Sequence, residues 1–386
     1  MLKSEVAAIR IRSPFDDEIV EFLDAVSKII LKDSRAKKYG DVITFGFWCR
    51  KASVLQMKKQ YGNLEGRIGR GLVFHIAPSN VAVNFAYSLV TGLLSGNANV
   101  VRLPSKQFEQ VDLICEAINN AFESYPNISP YISFVRYGHD KNITDELSAK
   151  CDVRVIWGGN NTINEIRKSL IRPRTVDIAF ADRYSIAAIN AGKYLVASDK
   201  IAIAKSFYND TYLTDQNACT SPKLIVWLGS DTEKIKNAQE LFWSHLYDYT
   251  KPQYELQGVQ AVHKLSKMMM IAAKSDKVKY INGPDNLICR VEVENLSEEL
   301  FENCGHSGFF MEYTSESLSE ILPVCSEKCQ TLSYFGIEKS EIENFINKYK
   351  PKGIDRVVPI GKTMDFSLTW DGYDLINEMS RKVVII

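Results

Sequence analysis

The sequence predicts an α/β protein with parallel sheets covered by helices on both faces, arranged in two domains and a short tail. Three observations carry that expectation. The chain has 386 residues, enough for two or three domains at roughly 100–200 residues each. Its middle alternates short apolar, β-branched runs with longer helical patterns, as strands buried on both faces do. Its composition, 45% hydrophobic and 24% charged, is ordinary for a globular protein.

Each element has a local reason. Ser13-Pro14 followed by Asp16-Asp17-Glu18 reads as a helix start: Ser can cap, Pro suits the first position, and early acids complement the helix dipole. Ile19, Phe22, Leu23, Val26, Ile29 and Ile30 then recur at helical spacing. A second helix is expected over Phe47–Tyr61. Gly71–Ile76 is a short apolar run ending before Pro78, a buried strand, and a small-residue helix follows from Val83 to Leu94. Ala98–Leu103 is the next strand and Phe108–Tyr125 the next helix. Tyr131–Tyr137, Asp152–Trp157 and Thr175–Ala181 read as further strands. A second alternating block has strands at Leu224–Leu228, Leu287–Val293 and Phe309–Tyr313, with helices at Thr232–Tyr249 and Tyr254–Ala273. The boundaries read as 1–195, 196–355 and an apolar tail, 356–386, that docks on a sheet or on a second subunit.

Composition excludes several classes. Lys plus Arg and Asp plus Glu are both 47, giving zero net charge, so a mainly electrostatic nucleic-acid binder is not expected. No run approaches the roughly 18 apolar residues of a membrane span, and the N-terminus lacks a secretory core. The 8 Cys are too sparse for a disulfide scaffold, which points to thiols in a reducing, cytoplasmic setting.

Four stretches carry candidate chemistry. Cys219 lies in the polar, turn-rich Asp215-Gln216-Asn217-Ala218-Cys219-Thr220-Ser221-Pro222, just before the strand Lys223–Leu228. Loops abutting a rigid strand are where catalytic groups tend to sit, although a lone Cys is a weak signal. Asn80 follows His75-Ile76-Ala77-Pro78-Ser79 at a strand's carboxyl end, the usual ligand edge of an open α/β sheet. Its amide suits an oxyanion donor, or equally a turn. Gly158-Gly159 ends another strand, where a phosphate can approach a helix N-terminus; a plain turn explains the pair as well. Cys304, His306, Cys325 and Cys329 lack the paired spacing of a zinc site. Helical i, i+4 spacing accounts for the last two cysteines. His306 is a candidate proton donor on position alone.

Read together, Pro78-Ser79-Asn80, Leu94-Ser95-Gly96-Asn97-Ala98-Asn99 through Lys106, Gly158-Gly159 and Cys219 resemble the aldehyde dehydrogenase superfamily. Asp215–Pro222, Cys325–Leu332 and Arg356–Lys362 through Trp370–Asp374 narrow the resemblance to the bacterial long-chain acyl-CoA reductase family, the fatty acid reductase subunit of the luminescence pathway. It covers about 70 to 386.

The resemblance implies an aldehyde dehydrogenase-like fold, with a Rossmann-type cofactor domain and an α/β catalytic domain. It makes Cys219 the acyl-accepting nucleophile and Asn80, with the Cys219 backbone N–H, the oxyanion hole. Ala77, Pro78 and Ser79 would border the nicotinamide, Gly158 and Gly159 would lie under the pyrophosphate, and Glu312 would bind the nicotinamide ribose. Two departures matter. Phe180-Ala181-Asp182-Arg183-Tyr184 replaces the Glu-Leu-Gly-Gly segment that carries the water-activating base, so an acyl-enzyme would persist until reduced, unless Asp182 substitutes. Lys106 stands where NAD enzymes of the superfamily have a ribose-binding Glu, with Arg102 nearby, and this favours NADPH over NADH. The implied reaction is transfer of a fatty acyl group from acyl-CoA to Cys219 and its reduction to aldehyde. The alternatives are a short-chain acylating dehydrogenase, an NADH-dependent acyl-phosphate reductase, or a non-catalytic acyl-carrier subunit. An acyl-protein synthetase partner and a homo-oligomer are further implications.

Overall fold

The computed structural model describes residues 10–78, 81–138, 140–274, 278–281 and 283–385. They form two compact units, one made of the chain up to Ala181 together with Phe366 onward, the other of Asp182–Asp365.

The first unit opens with helices α1 (Asp17–Lys32), α2 (Gly40–Trp48) and α3 (Lys51–Gln60). Asp16, not Ser13, caps α1: its carboxylate accepts the amides of Glu18 and Ile19. Phe15 takes a left-handed φ of 54°, so Ser13-Pro14 belong to the approach turn. The expected single helix over Phe47–Tyr61 is two, because Arg50 is extended at ψ 140°. After a short strand β1 (Arg67–Gly69) come β2 (Leu72–Ile76), α4 (Asn84–Leu94), β3 (Ala98–Arg102), α5 (Glu109–Ala121), β4 (Ile132–Val135), α6 (Lys141–Lys150), β5 (Val153–Trp157), α7 (Asn160–Arg167) and β6 (Val176–Phe180). The sheet order is β4-β3-β2-β5-β6, parallel throughout. Every residue of β2 and β5 is buried, which is why those runs read as continuous rather than alternating apolar sequence.

The second unit contains β7 (Tyr184–Asn190), α8 (Ala191–Leu195), α9 (Lys200–Asp210), β8 (Pro222–Leu228), α10 (Thr232–Thr250), α11 (Gly258–Lys274), β9 (Val278–Ile281), β10 (Cys289–Val293), β11 (Phe309–Ser315), β12 (Cys329–Phe335), α12 (Lys339–Tyr349) and β13 (Arg356–Pro359). They build one sheet, β13-β12-β7-β8-β11-β10-β9. Among the described strands of this sheet, only the edge strand β9 runs antiparallel. The boundaries differ from the sequence reading of 195 and 355. β7 pairs with β8 and β12, which moves the start of the second unit ahead of residue 184. β13 pairs with β12, which moves residues 356–365 out of the tail. Cys329 opens β12 and Cys325 ends a 3₁₀ turn, so the two do not share a helix.

The chain then returns to the first unit with β14 (Thr369–Trp370), β15 (Tyr373–Asp374), α13 (Leu375–Met379) and β16 (Ser380–Lys382). β16 pairs antiparallel with β1, and Trp370, Leu375 and Met379 pack on Val73, Val153 and Val155 of the five-stranded sheet. Val384 and Ile385, beyond the last strand, are 72% and 93% exposed.

A buried polar network ties this unit together. Asn99 donates its amide to the Asn97 carbonyl (2.8 Å) and so offers only its oxygen to His75 Nε2 at 2.9 Å. His75 Nε2 must therefore donate, and Nδ1 accepts from Ser88 Oγ at 2.7 Å. Trp157 Nε1 donates to the same hydroxyl (3.1 Å). Burial pushes His75 down to about 4, so the ring is neutral. Asn97 accepts the amides of Arg70 (2.7 Å) and Gly71 (3.0 Å) and donates to Met379 O at 2.9 Å, which fastens the returning tail. Gly92 leaves the space: a Cβ there would lie 1.9 Å from Asn99 Oδ1 and 3.0 Å from His75 Nε2. Gly92→Ala is therefore expected to cost about 1–3 kcal/mol and lower Tm by several degrees. An unchanged melting curve would mean that the network yields without cost.

Candidate active site

The turn that carries Cys219 is held by buried polar clamps. The chain leaves α9 at Thr211 and makes a corner at Asp215 and Gln216, both left-handed at φ 52° and 58°. A second corner faces it, Ser307 and Gly308 at φ 58° and 89°. Left-handed backbone costs a non-glycine residue about 1–2 kcal/mol and persists where the surroundings over-determine it. Here Ser307 N–H donates to Asp215 O at 2.9 Å. The buried Gln216 amide satisfies four backbone groups: its oxygen accepts Gly308 and Phe309 N–H (3.1 Å each), and its nitrogen donates to Pro222 O and Phe309 O (2.9 Å each). Gly308 is obligatory, since a Cβ there would meet Leu287 O at 2.3 Å.

Two buried lysines complete the clamp. Lys223 donates to Gln216 O, to Gly305 O (3.1 Å) and to His306 Nδ1 (2.9 Å). Lys264 donates to Asn286 O, Leu287 O (3.2 Å) and Ser307 O (2.8 Å). Burial pushes both down to about 8. Burial and the neighbouring Lys223 push His306 down to about 4. Its ring is thus neutral near pH 7, with Nδ1 accepting from Lys223 and the ring proton on Nε2.

Cys219 is a reduced, exposed thiol on the turn Ala218–Ser221, closed by Ser221 N–H to Ala218 O at 3.0 Å. Its carbonyl accepts from Ser185 Oγ (2.7 Å). The next residue, Thr220, donates its buried hydroxyl to Met364 Sδ at 3.3 Å. Cys49, Cys151, Cys289, Cys325 and Cys329 are buried.

Glu312 answers to a different chemistry from the one the resemblance implied. It is 0% exposed in the middle of β11. One carboxylate oxygen accepts Trp227 Nε1 and Trp243 Nε1 (2.8 Å each), and the other accepts Arg290 Nε at 2.7 Å. With both oxygens taken and no exposed surface, it offers nothing to a ribose. Its role is to close a buried ion pair in the layer between sheet and helices.

The other candidates gather in the first unit. Ala77 and Pro78 end β2, Arg102 ends β3 opposite Ile76, and Gly158-Gly159 end β5. β3 and β5 flank β2 in a 3-2-1-4-5 strand order, so these residues lie at the carboxyl edge where the strand order reverses. That is the nucleotide crevice of doubly wound sheets. Gly159 stands at the N-cap of α7 and makes no side-chain cap bond, and a helix start is a place where an anion can approach. Arg102 donates to Gly138 O (2.7 Å) and lies over the Tyr137 ring at 4.6 Å. Lys106 is exposed beside Phe108. Ser79 and Asn80 lie outside the described residues. Among the described residues no three His, Cys, Asp or Glu side chains gather as a metal site, and no helix is long and apolar enough to cross a membrane.

Sequence reasoning passes over Gln216, Lys223 and Lys264. Lys223 does leave a signal, a lone cation opening the wholly apolar run Leu224–Leu228. Exposure predicts reactivity: limited iodoacetamide should modify Cys219 before the buried thiols, read by peptide mass spectrometry. Earlier labelling of Cys151 or Cys329 would contradict this geometry.

Comparison with known proteins agrees with this architecture. Residues 14–382 match the family described as Acyl-CoA reductase (LuxC). The long-chain acyl-protein thioester reductase of Vibrio harveyi is 23% identical over 298 residues, 76% of this chain and 59% of that protein. The one from Photorhabdus luminescens is 23% identical over 328 residues, 82% and 63% respectively. The chain thus spans about three fifths of the length of these curated relatives. Among solved structures, an NAD-dependent benzaldehyde dehydrogenase from Corynebacterium glutamicum aligns with TM-score 0.64 at 13% identity, covering 98% of this chain and 86% of that one. A variant of the Thermus thermophilus 1-pyrroline-5-carboxylate dehydrogenase aligns with TM-score 0.64 at 11% identity, covering 98% and 82%. The fold is aldehyde dehydrogenase-like, and the family match over nearly the whole chain places this protein in the acyl-CoA reductase (LuxC) family.

Proposed function

We propose that this chain is an acyl thioester reductase: it accepts an activated fatty acyl group on Cys219 and reduces it to the aldehyde with a nicotinamide cofactor. The observation that carries the reading is the exposed Cys219 thiol on a turn fixed by the Gln216–Lys223–His306 clamp, in a chain of the acyl-CoA reductase family.

The residues of the first unit suit a dinucleotide. The carboxyl edge of β2 and β5 offers the start of α7 at Gly159, and the end of β3 and the turn after it offer Arg102 and Lys106 with no carboxylate between them. That charge suits a 2′-phosphate, so NADPH is the proposed cofactor rather than NADH. Gly158 and Gly159 would hold the pyrophosphate, and Ala77, Pro78 and Ser79 would border the nicotinamide. When bound, the reduced nicotinamide supplies a hydride.

The chain's own residues do the rest. Cys219 as thiolate attacks the thioester carbonyl, forming the new C–S bond, and the donor thiol leaves with a proton. Asn80 and the Cys219 N–H would hold the oxyanion; one such donor is worth about 3–4 kcal/mol. Residues 180–184 supply no Glu base, so the acyl-Cys awaits reduction instead of hydrolysis, and aldehyde release restores the thiol. An acyl-protein synthetase as donor is a further part of this reading, since the relatives' printed names specify an acyl-protein substrate.

The test is absorbance of the reduced nicotinamide with acyl-CoAs from C2 to C16, NADPH and NADH in parallel. Decay should require the acyl donor, show a chain-length optimum, favour NADPH and vanish in Cys219→Ser. Lys106→Glu should raise KM for NADPH about tenfold and leave NADH little changed; equal effects would remove Lys106 from cofactor selection. Near-normal turnover by Cys219→Ser would overturn the reading.

A further inference from the structure

Asp210 ends α9 and is fully buried. One carboxylate oxygen accepts Gly361 N–H at 2.6 Å and the other accepts Thr363 N–H at 3.1 Å. Gly361 sits at φ 94°, where a Cβ would lie 2.7 Å from Ser206 Cβ, so the loop turns tightly onto α9. Arg356 grips the same loop from its carbonyl side, donating to Thr363 O (2.7 Å), Lys362 O (3.0 Å) and Asp365 O. The next residue, Met364, receives the Thr220 hydroxyl at 3.3 Å, and Thr220 adjoins Cys219. The charged groups around Asp210 are Asp365, Lys362, which pairs with Asp365 at 3.0 Å, and Arg356. Burial pushes Asp210 up to about 6, so near pH 7 it is ionised and accepts with both oxygens.

Burying a carboxylate is costly, and here the two backbone amides offset part of that cost. We propose that Asp210 is a positioning residue for the acyl-transfer step: it fixes the Gly361–Met364 loop, and that loop steadies the Cys219 turn through Met364 and Thr220. This rests on the acyl-transfer reading above and deepens it. Misplacement of a nucleophile by about 1 Å costs up to a hundredfold in rate, so small motions of this loop matter. Asn at position 210 would aim an NH₂ at one of the two amides and release one anchor.

The full chain tests this as wild type, Asp210→Asn, Thr220→Val, the double variant and Cys219→Ser. Loading of radiolabelled hexadecanoyl-CoA onto protein gives the acyl-transfer rate. Hydrogen exchange of the peptide covering 211–222 gives the order of the turn. Asp210→Asn should slow loading roughly ten- to a hundredfold, speed exchange in that peptide and leave KM for NADPH unchanged. Thr220→Val should do the same more weakly, and the double variant should be no slower than Asp210→Asn, because both act through one chain of contacts. Unchanged exchange in both single variants, or fully multiplicative losses in the double variant, would overturn the proposal. If Asp210→Asn fails to fold, Thr220→Val carries the decision. No Cys219-dependent loading in the wild type would sink the acyl-transfer reading instead, and the exchange comparison would still decide whether Asp210 holds the turn.

Discussion

The placement of Cys219 depends on one constraint: the Asp215-Gln216 corner must stay left-handed against the Ser307-Gly308 corner. Neither pair is conformationally relaxed, so something must hold both. The Gln216 side chain does most of this, because a single amide meets two donors and two acceptors of the facing strands. Lys223 and Lys264 then neutralise the carbonyls that the two corners crowd together. Remove that frame and the short turn into β8 loses its direction.

The frame has a stability cost that depends on pH. Lys223 and Lys264 fall from 10.5 to about 8 on burial. Between these values the unfolded chain binds more protons, so stability rises with pH across that window, and at neutral pH each buried ammonium costs on the order of 3 kcal/mol. Asp210 is the mirror case, raised from 3.8 to about 6. Between these values the folded state binds more protons, so stability falls as pH rises through the window. Three buried charges spent on backbone groups and an imidazole are what a fold tolerates when a loop must be held in one conformation.

Much of this is legible in the sequence, and the misses have physical causes. The strands β2, β3, β5 and β8 are wholly or almost wholly buried runs, and periodicity finds such runs well. β7 is hidden because Tyr184-Ser185-Ile186-Ala187-Ala188-Ile189-Asn190 mixes small and apolar residues and is neither a wholly apolar run nor a clean alternation, and the domain boundary slips with it. Cys219 and the Gly158-Gly159 turn are findable because turn chemistry beside apolar strands is local. Glu312 is misread because its three donors, Trp227, Trp243 and Arg290, come from three different elements, and no local pattern records them. The clamps on Gln216 are invisible for the same reason.

The two units meet different demands with the same device. In the first, His75, Asn97 and Asn99 join strand ends, α4 and the tail through neutral hydrogen bonds, and no charge is buried in that network. Positive charge stays outside that network, on Arg102 and Lys106, as the proposed binding of a polyanionic cofactor there requires. In the second unit the charges are buried and the thiol is exposed. In the proposed reaction an acyl-Cys must outlast water, and with no Glu at residues 180–184 to activate water, its lifetime rests on geometry: how firmly the turn presents the thioester to the incoming hydride. In that reading turnover depends on the residues that hold the turn, Gln216, Lys223 and Asp210, as much as on Cys219 itself.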